Sequence, residues 1–371
     1  MYSIAETLES LAEHLPDALV SPAAYDRVRR AAERLPAPLS SRIYLECRLA
    51  DGTPRVDLIL GVDREGAEVL AGEWHPATLP GALGRSAAWS PLASLCREWS
   101  RAGSALSDGV ERLWIELDLE AAQNARADDG LTPGVFVNFS PEGAPGRSVE
   151  RRLAAAEEAV GILAGAEAER LTAPLARCFG CLPEGAAISY VGVFAGRRTG
   201  ASRLCVQGLG PNAVAEYLAA IGHTPTAVAS IHRTVRSLLR ASGAVPTLLH
   251  VDVGGDGIVA GLEYSLSRLP QLRGQVLETG FLDELVRRGL CAPDKRTGLS
   301  QWPGTSIEVL RHALWPSGVW RRVNHVKLVF TGHGPVEAKA YLYVRHAYDR
   351  RLVRRAGAAA ALPPRRTRRG E

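Results

Sequence analysis

Glu46, Glu116, Asp252 and Glu263, together with His250 and His325, fall at alternate positions of short apolar runs. Alternation puts such residues on one side of a strand, and carboxylates and imidazoles gathered there can pass protons to and from a reacting group. Cations share the pattern. Only three of the 44 basic residues are Lys, yet Lys327 and Lys339 both stand in these runs, where a compact ammonium serves differently from the Arg used elsewhere. Arg55, Arg203 and Arg345 hold equivalent positions, and the set suits an anionic group. Tyr44, Trp114, Phe136, Tyr341 and Tyr343 are interleaved with the charges, and their π faces favour a cation or a flat molecule. For any single carboxylate, a salt bridge to a neighbouring Arg is the plain alternative.

The elements that must position these residues read as five hairpins, at 42–62, 112–140, 188–208, 248–266 and 325–345. Between them lie helical stretches. Ser21 and Pro22 open one, a Thr305/Glu308 capping box predicts another before VLRHAL, and most gaps hold two. GVDREGAE and GGDG read as turns. A hairpin and a helical pair each return the chain to the end it left, so every strand starts antiparallel to the one before. Ten antiparallel strands would leave two open edges, and closing the sheet removes them. One strand face is apolar (Ile43, Leu45, Cys47; Leu113, Ile115, Leu117; Leu249, Val251) and the other ionic, which sends the helices outside. Only ISYVGVFAG is apolar on both faces. The expected fold is α+β: a ten-stranded antiparallel β-barrel of five α-α-β-β repeats around a polar, solvent-filled lumen too wide for side chains to fill. An open sheet with one face in solvent is the simpler alternative, against which the interleaved aromatics count.

At 371 residues, 46% hydrophobic and 23% charged, the chain excludes wholesale disorder, and no apolar run is long enough to span a membrane. The opening MYSIAETLESLAEHLPD lacks the basic start and apolar core of a signal peptide, so a cytoplasmic protein is expected. Residues 1–348 read as one domain and 349–371 as a disordered basic tail. That tail carries eight Arg, so the +4 net charge hides a slightly acidic body, which argues against a nucleic-acid partner. Cys178 and Cys181 form a CxxC without a second ligand pair and read as buried thiols. No DDxxD occurs, and Asp128-Asp129 stands alone, so no metal site is called.

This arrangement resembles the ABBA, or PT-barrel, prenyltransferases from about residue 4 to 346. Lys339-Ala-Tyr341 is similar to the family's Lys-x-Tyr diphosphate pattern, and Glu46 followed by Arg55 resembles its pairing of a base with a diphosphate-binding Arg. The resemblance implies transfer of a prenyl group from a prenyl diphosphate to an aromatic small molecule or peptide inside the barrel, in natural-product biosynthesis. Arg55, Arg203, Lys327, Lys339, Tyr341 and Arg345 would hold the diphosphate. Tyr44, Trp114, Phe136 and Tyr343 would shield the cation. Glu46 or Glu116 would act as base, with Asp252, Glu263 and His250 competing. No cofactor is required on this reading, and magnesium is possible without a motif to bind it. GLCAPDKRTGLSQWPG and HVKLVF with EAKAYL also resemble bacterial proteins of no assigned activity. Two rivals therefore stand: another peptide modification, such as elimination or cyclisation in ribosomal peptide maturation, and small-molecule binding without turnover.

Overall fold

Edge closure is the organising fact of the structure. The computed structural model describes residues 3–50, 55–72, 83, 86–119, 131–139, 148–194, 202–254, 260–265, 279–308, 317–331 and 334–347. Strands β1 (Arg42–Arg48), β2 (Val56–Val62), β3 (Val110–Leu117), β4 (Pro133–Phe139), β5 (Ala187–Phe194), β6 (Ser202–Gln207), β7 (Leu248–Val253) and β8 (Ala260–Ser265) pair in sequence order. Strand β9 (Gly304–Glu308) is an appendage on the long β10 (Ser317–Thr331), which pairs with β8 and with β11 (Gly334–Ala347). β11 then returns to β1, from Arg42↔Arg345 to Arg48↔Lys339. Ten strands thus form a closed antiparallel ring, the PT-barrel architecture, with no unpaired edge in the ring.

The apolar strand face looks outward, as the alternation predicts. Ile43, Leu45, Leu58, Leu60, Leu113, Ile115, Leu249 and Val251 are buried in one core with the helices. These are α1 (Ile4–Glu9), α2 (Pro22–Glu33), α3 (Arg64–Ala71), α4 (Ser90–Ser100), α5 (Ala105–Gly109), α6 (Val149–Ala164), α7 (Ala168–Gly180), α8 (Ala213–Ala220), α9 (Pro225–Ser242), α10 (Thr279–Arg287) and α11 (Pro293–Gln301). Side-chain caps start several of them: Ser21 for α2, Asp63 for α3, Ser148 for α6 and Thr224 for α9 each accept the backbone N–H three residues on. Trp99 and Trp302 bury their rings against the barrel and donate their indole N–H to the carbonyls of Val110 and Arg322. Among the described residues no helix is long and apolar enough to cross a membrane.

Three local expectations are corrected. GVDREGAE is no turn: Asp63 caps α3, whose Ala67, Val69 and Leu70 are buried. Thr305 and Glu308 do not cap a helix but lie in β9, where Thr305 faces Trp320 and Glu308 faces Ser317. The last hairpin begins at Ser317, not His325, because β10 extends past the ring to carry β9. The VLRHAL helix, Asp128-Asp129, most of the GGDG turn and the 349–371 tail lie outside the described residues.

Candidate active site

Register brings the ionic face together across strands far apart in sequence. At one end of the lumen Arg48 Nη1 lies 3.0 Å from Glu46 Oε1 and 2.7 Å from Asp57 Oδ2, and its Nε lies 3.2 Å from Glu337 Oε1. Lys339 Nζ donates to Glu46 Oε1 at 2.8 Å and stands 3.5 Å from Glu337 Oε2. Burial alone would raise the Glu46 carboxyl, but Lys339 and Arg48 outweigh it and hold the group well below the usual carboxylate range. Asp57 moves the other way, to about 7, through burial and its neighbour Glu46. Arg203 grips Asp252 through two hydrogen bonds, 2.5 and 2.7 Å. Of the carboxylates proposed as base, Glu46 and Asp252 are therefore committed to ion pairs.

Glu263 differs. One oxygen lies 3.2 Å from His250 Nε2 and the other 3.3 Å from His325 Nδ1. Burial raises this carboxyl to about 7, with Lys327 opposing, and burial pushes His325 down to about 3 and His250 well below its usual value. Both imidazoles are neutral at pH 7; His250 shares a hydrogen bond with a carboxyl that titrates near neutrality, while His325 Nδ1 is hydrogen-bonded to Asn324 Nδ2 at 2.9 Å and only lies near the other oxygen. Lys327 is itself depressed to about 8 by burial and by Arg203. Its stem crosses Gly261: a Cβ there would meet Lys327 Cε at 3.0 Å and His250 Cβ at 3.5 Å. The missing side chain is what lets the ammonium reach toward β7.

Beside this cluster lies a cavity of about 130 Å³. Tyr44, Ile59, Trp114, Phe136 and Tyr190 form its apolar wall, and Glu116, His250, Glu263, His325 and Lys327 its polar wall. The rings are braced by glycines on adjacent strands. A Cβ at Gly61 would stand 2.5 Å from the Trp114 ring, and one at Gly192 would stand 2.4 Å from Phe136. Tyr44 packs on Trp114 and Tyr343 with centroids 5.2 and 4.9 Å apart, and Tyr341 stacks on His325 at 3.9 Å. The lumen is accordingly fuller than the sequence suggested. Arg, Lys and carboxylate chains pair between neighbouring strands along its wall, and a compact cavity is left among the described residues where a wide chamber was expected.

Glu116, Glu263, His250, Lys327, Tyr341, Tyr44, Trp114 and Phe136 thus meet at one cavity. Glu46 is buried beside it with Lys339, Arg203 and Asp252 half-buried, and Tyr343 packs on Tyr44. Arg55 and Arg345 are not brought in: both are exposed, Arg55 ahead of β2 and Arg345 six residues along β11 from Lys339, about 20 Å away at the strand rise. Sequence reasoning left out Arg48, Asp57, Tyr190 and Cys205. Arg48, Asp57 and Cys205 were visible on the ionic face but given no role, whereas Tyr190 lies on the strand whose faces did not discriminate. In the CxxC, Cys178 is buried as expected but Cys181 is half-buried. Among the described residues no group of three or more His, Cys, Asp or Glu side chains is placed to hold a metal ion.

No protein-family model and no curated protein matches the chain. Among solved structures it is similar to the apo form of the prenyltransferase PriB, at 13% identity and a TM-score of 0.47 over 92% of this chain and 93% of that one. It is also similar to AnaPT from Neosartorya fischeri, at 13% identity and 0.47 over 94% and 92%.

Proposed function

We propose that the chain is an enzyme that transfers protons to and from a compact, flat organic substrate, an electron-rich aromatic molecule or side chain, enclosed in the barrel. The observation that carries this is Glu263, buried on the cavity wall between two neutral imidazoles and titrating near 7, where one carboxyl serves as acid or base at physiological pH. Charge supports it. Among the described residues on the Lys327 side of the lumen, the carboxylates Glu46, Asp57, Glu116, Asp252, Glu263 and Glu337 stand with Arg48, Arg203, Lys327 and Lys339, while Arg112 and Arg322 lie over the Trp114 and Tyr343 rings. A pocket for a multiply charged diphosphate calls for surplus cation, and Arg48, Arg203 and Lys339 are held by carboxylates.

Prenyl transfer from a prenyl diphosphate to an aromatic or peptide acceptor is the second reading. What favours it is the ring-lined wall of Tyr44, Trp114, Phe136 and Tyr190 facing Lys327, a setting in which π faces shelter an allylic cation and an ammonium meets the leaving group. Glu116 would then be the base, and Lys327 with Tyr341 would meet the diphosphate.

Indole in D2O separates the two. Wild-type protein is expected to speed exchange of the indole C3 hydrogen, by protonation at C3 and removal of the original hydrogen, and E263Q to lose on the order of 10²-fold of that rate. Prenylated indole formed from dimethylallyl diphosphate, with no exchange in its absence, would establish the second reading and end the first. Neither exchange nor product would leave both without support.

A further inference from the structure

Cys205 stands on the same cavity, and no step so far uses it. Its Sγ lies 3.3 Å from His250 Nδ1, and His250 Nε2 lies 3.2 Å from Glu263 Oε2. A thiol, an imidazole and a carboxyl are thus joined in line on β6, β7 and β8, whose pairing sets Cys205 opposite His250 and His250 opposite Gly261. All three line the cavity, and Lys327 is the one cation among its described lining residues. Nucleophile, base and base-orienting group within hydrogen-bond reach are the geometry of covalent catalysis.

We propose that Cys205 is a nucleophile that adds to the β-carbon of a compact conjugated carbonyl compound held flat against the aromatic wall. As the S–C bond forms, the thiol proton passes to His250 Nδ1 and the C=C π pair moves onto the carbonyl oxygen, where the Lys327 ammonium meets the enolate. The imidazolium, held through its Nε2–H by ionised Glu263, then returns the proton to the α-carbon. The thiol S–H has been added across the double bond, and no further reactant is consumed. Acyl transfer fits less well, since the backbone around Cys205 is engaged with Tyr190 and His250 and leaves Lys327 as the charge available to an oxyanion.

The resting thiol is protonated: burial pushes it up to about 12, against the pull of Lys327 and Arg203. Reaction therefore depends on the relay. Facing this line are Arg203 and Asp252, paired to each other, with Lys327 and His325 on β10, Tyr190 on β5, Glu116 on β3, and Glu46 and Tyr341 beyond them. Of those for which a value near neutrality applies, Glu263 at about 7 precedes Lys327 at about 8.

The inference rests on Glu263 acting as proposed above. The test is alkylation by methyl vinyl ketone, with a C181S background to remove the half-buried thiol, read by intact mass and peptide mapping on protein shown to be folded by its melting curve. The adduct is expected on Cys205, at a rate that rises to about pH 7 and falls again above about pH 8 as Lys327 loses its proton, and that falls about 100-fold in H250Q. E263Q is expected to lose the inflection at about pH 7. An unlabelled Cys205 overturns the nucleophile while leaving the indole exchange to stand. A labelled Cys205 whose rate climbs about tenfold per pH unit throughout, equally in H250Q and E263Q, shows simple thiolate formation and overturns the relay, and with it the part assigned to Glu263.

Discussion

Replacing Glu263 by Gln should make the protein more stable, and only above a defined pH. The side chain is 15% exposed, and burial raises its carboxyl from an ordinary 4.5 to about 7. A carboxyl so raised lends the folded state its full contribution only below the unfolded value, and that contribution drains away as pH climbs through the folded one. Loss therefore accrues between pH 4.5 and about 7 and levels off above. At about 1.4 kcal/mol per pH unit, the interval is worth about 3 kcal/mol. Gln keeps the shape and a hydrogen bond to His250 without the charge, so E263Q escapes the loss. With about 2.1 cal/mol/K of unfolding entropy per residue over 371 residues, about 3 kcal/mol moves the melting midpoint by about 4 °C. Calorimetry of both proteins from acid to mildly alkaline pH is the assay. Taking the difference removes Asp57, which titrates in the same range in both. Two melting profiles that run parallel across the whole series would show that Glu263 ionises normally, and the acid–base role would go with it.

Two further outcomes follow from the packing. Lys339→Met leaves Glu46, 2% exposed, with Arg48 as its remaining close cation, so urea unfolding at pH 7 should show a loss of about 3 kcal/mol or more, much of it regained in the E46Q/K339M double variant. A loss below about 1 kcal/mol would mean the pair is hydrated rather than buried. Gly192→Val would drive a branched side chain into the Phe136 ring, whose edge is 2.4 Å from the would-be Cβ, so stability should fall by about 1–3 kcal/mol and indole should bind more weakly. Partial recovery of stability in G192V/F136A would confirm that the ring is what collides; no recovery would put the strain in the backbone.

The ring of strands was legible because its signal is redundant. Each hairpin repeats the same alternation, and a one-residue slip in any strand would turn residues such as Leu45 and Leu58 inward and Glu46 and Asp57 into the core. The direction of individual residues on β1, β3, β7 and β11 followed from the same alternation. What alternation cannot show is which charges find each other. Lys339 and Glu46 are 293 positions apart, and their contact exists only because β11 closes onto β1. The same closure decided against Arg55 and Arg345, which share the parity of the lumen residues but stand at strand ends, where a side chain meets solvent. Parity fixes the face and not the depth. Cys205 shares the parity of Arg203 and Gln207, so its face was legible; its role was not, because only pairing with His250 gives the thiol a partner with chemistry.

A barrel gains little stability from burying so many charges, since well-packed apolar groups in their place would serve as well or better. Their effect on the cavity is more specific. Arg48, Lys339, Glu46 and Glu337 pair with one another at one end of the lumen. Two groups beside this end drift toward neutrality from opposite directions, Lys327 down to about 8 and Glu263 up to about 7. Burial drives both, and it does so because the surrounding charges are already spent on each other. A diphosphate entering this space could meet Lys327 directly, but Arg48, Arg203 or Lys339 would first have to be parted from a carboxylate. A flat, uncharged substrate parts none, and it meets the Glu263 carboxyl, able to act as acid or base, and the Lys327 ammonium, both within about one pH unit of neutrality.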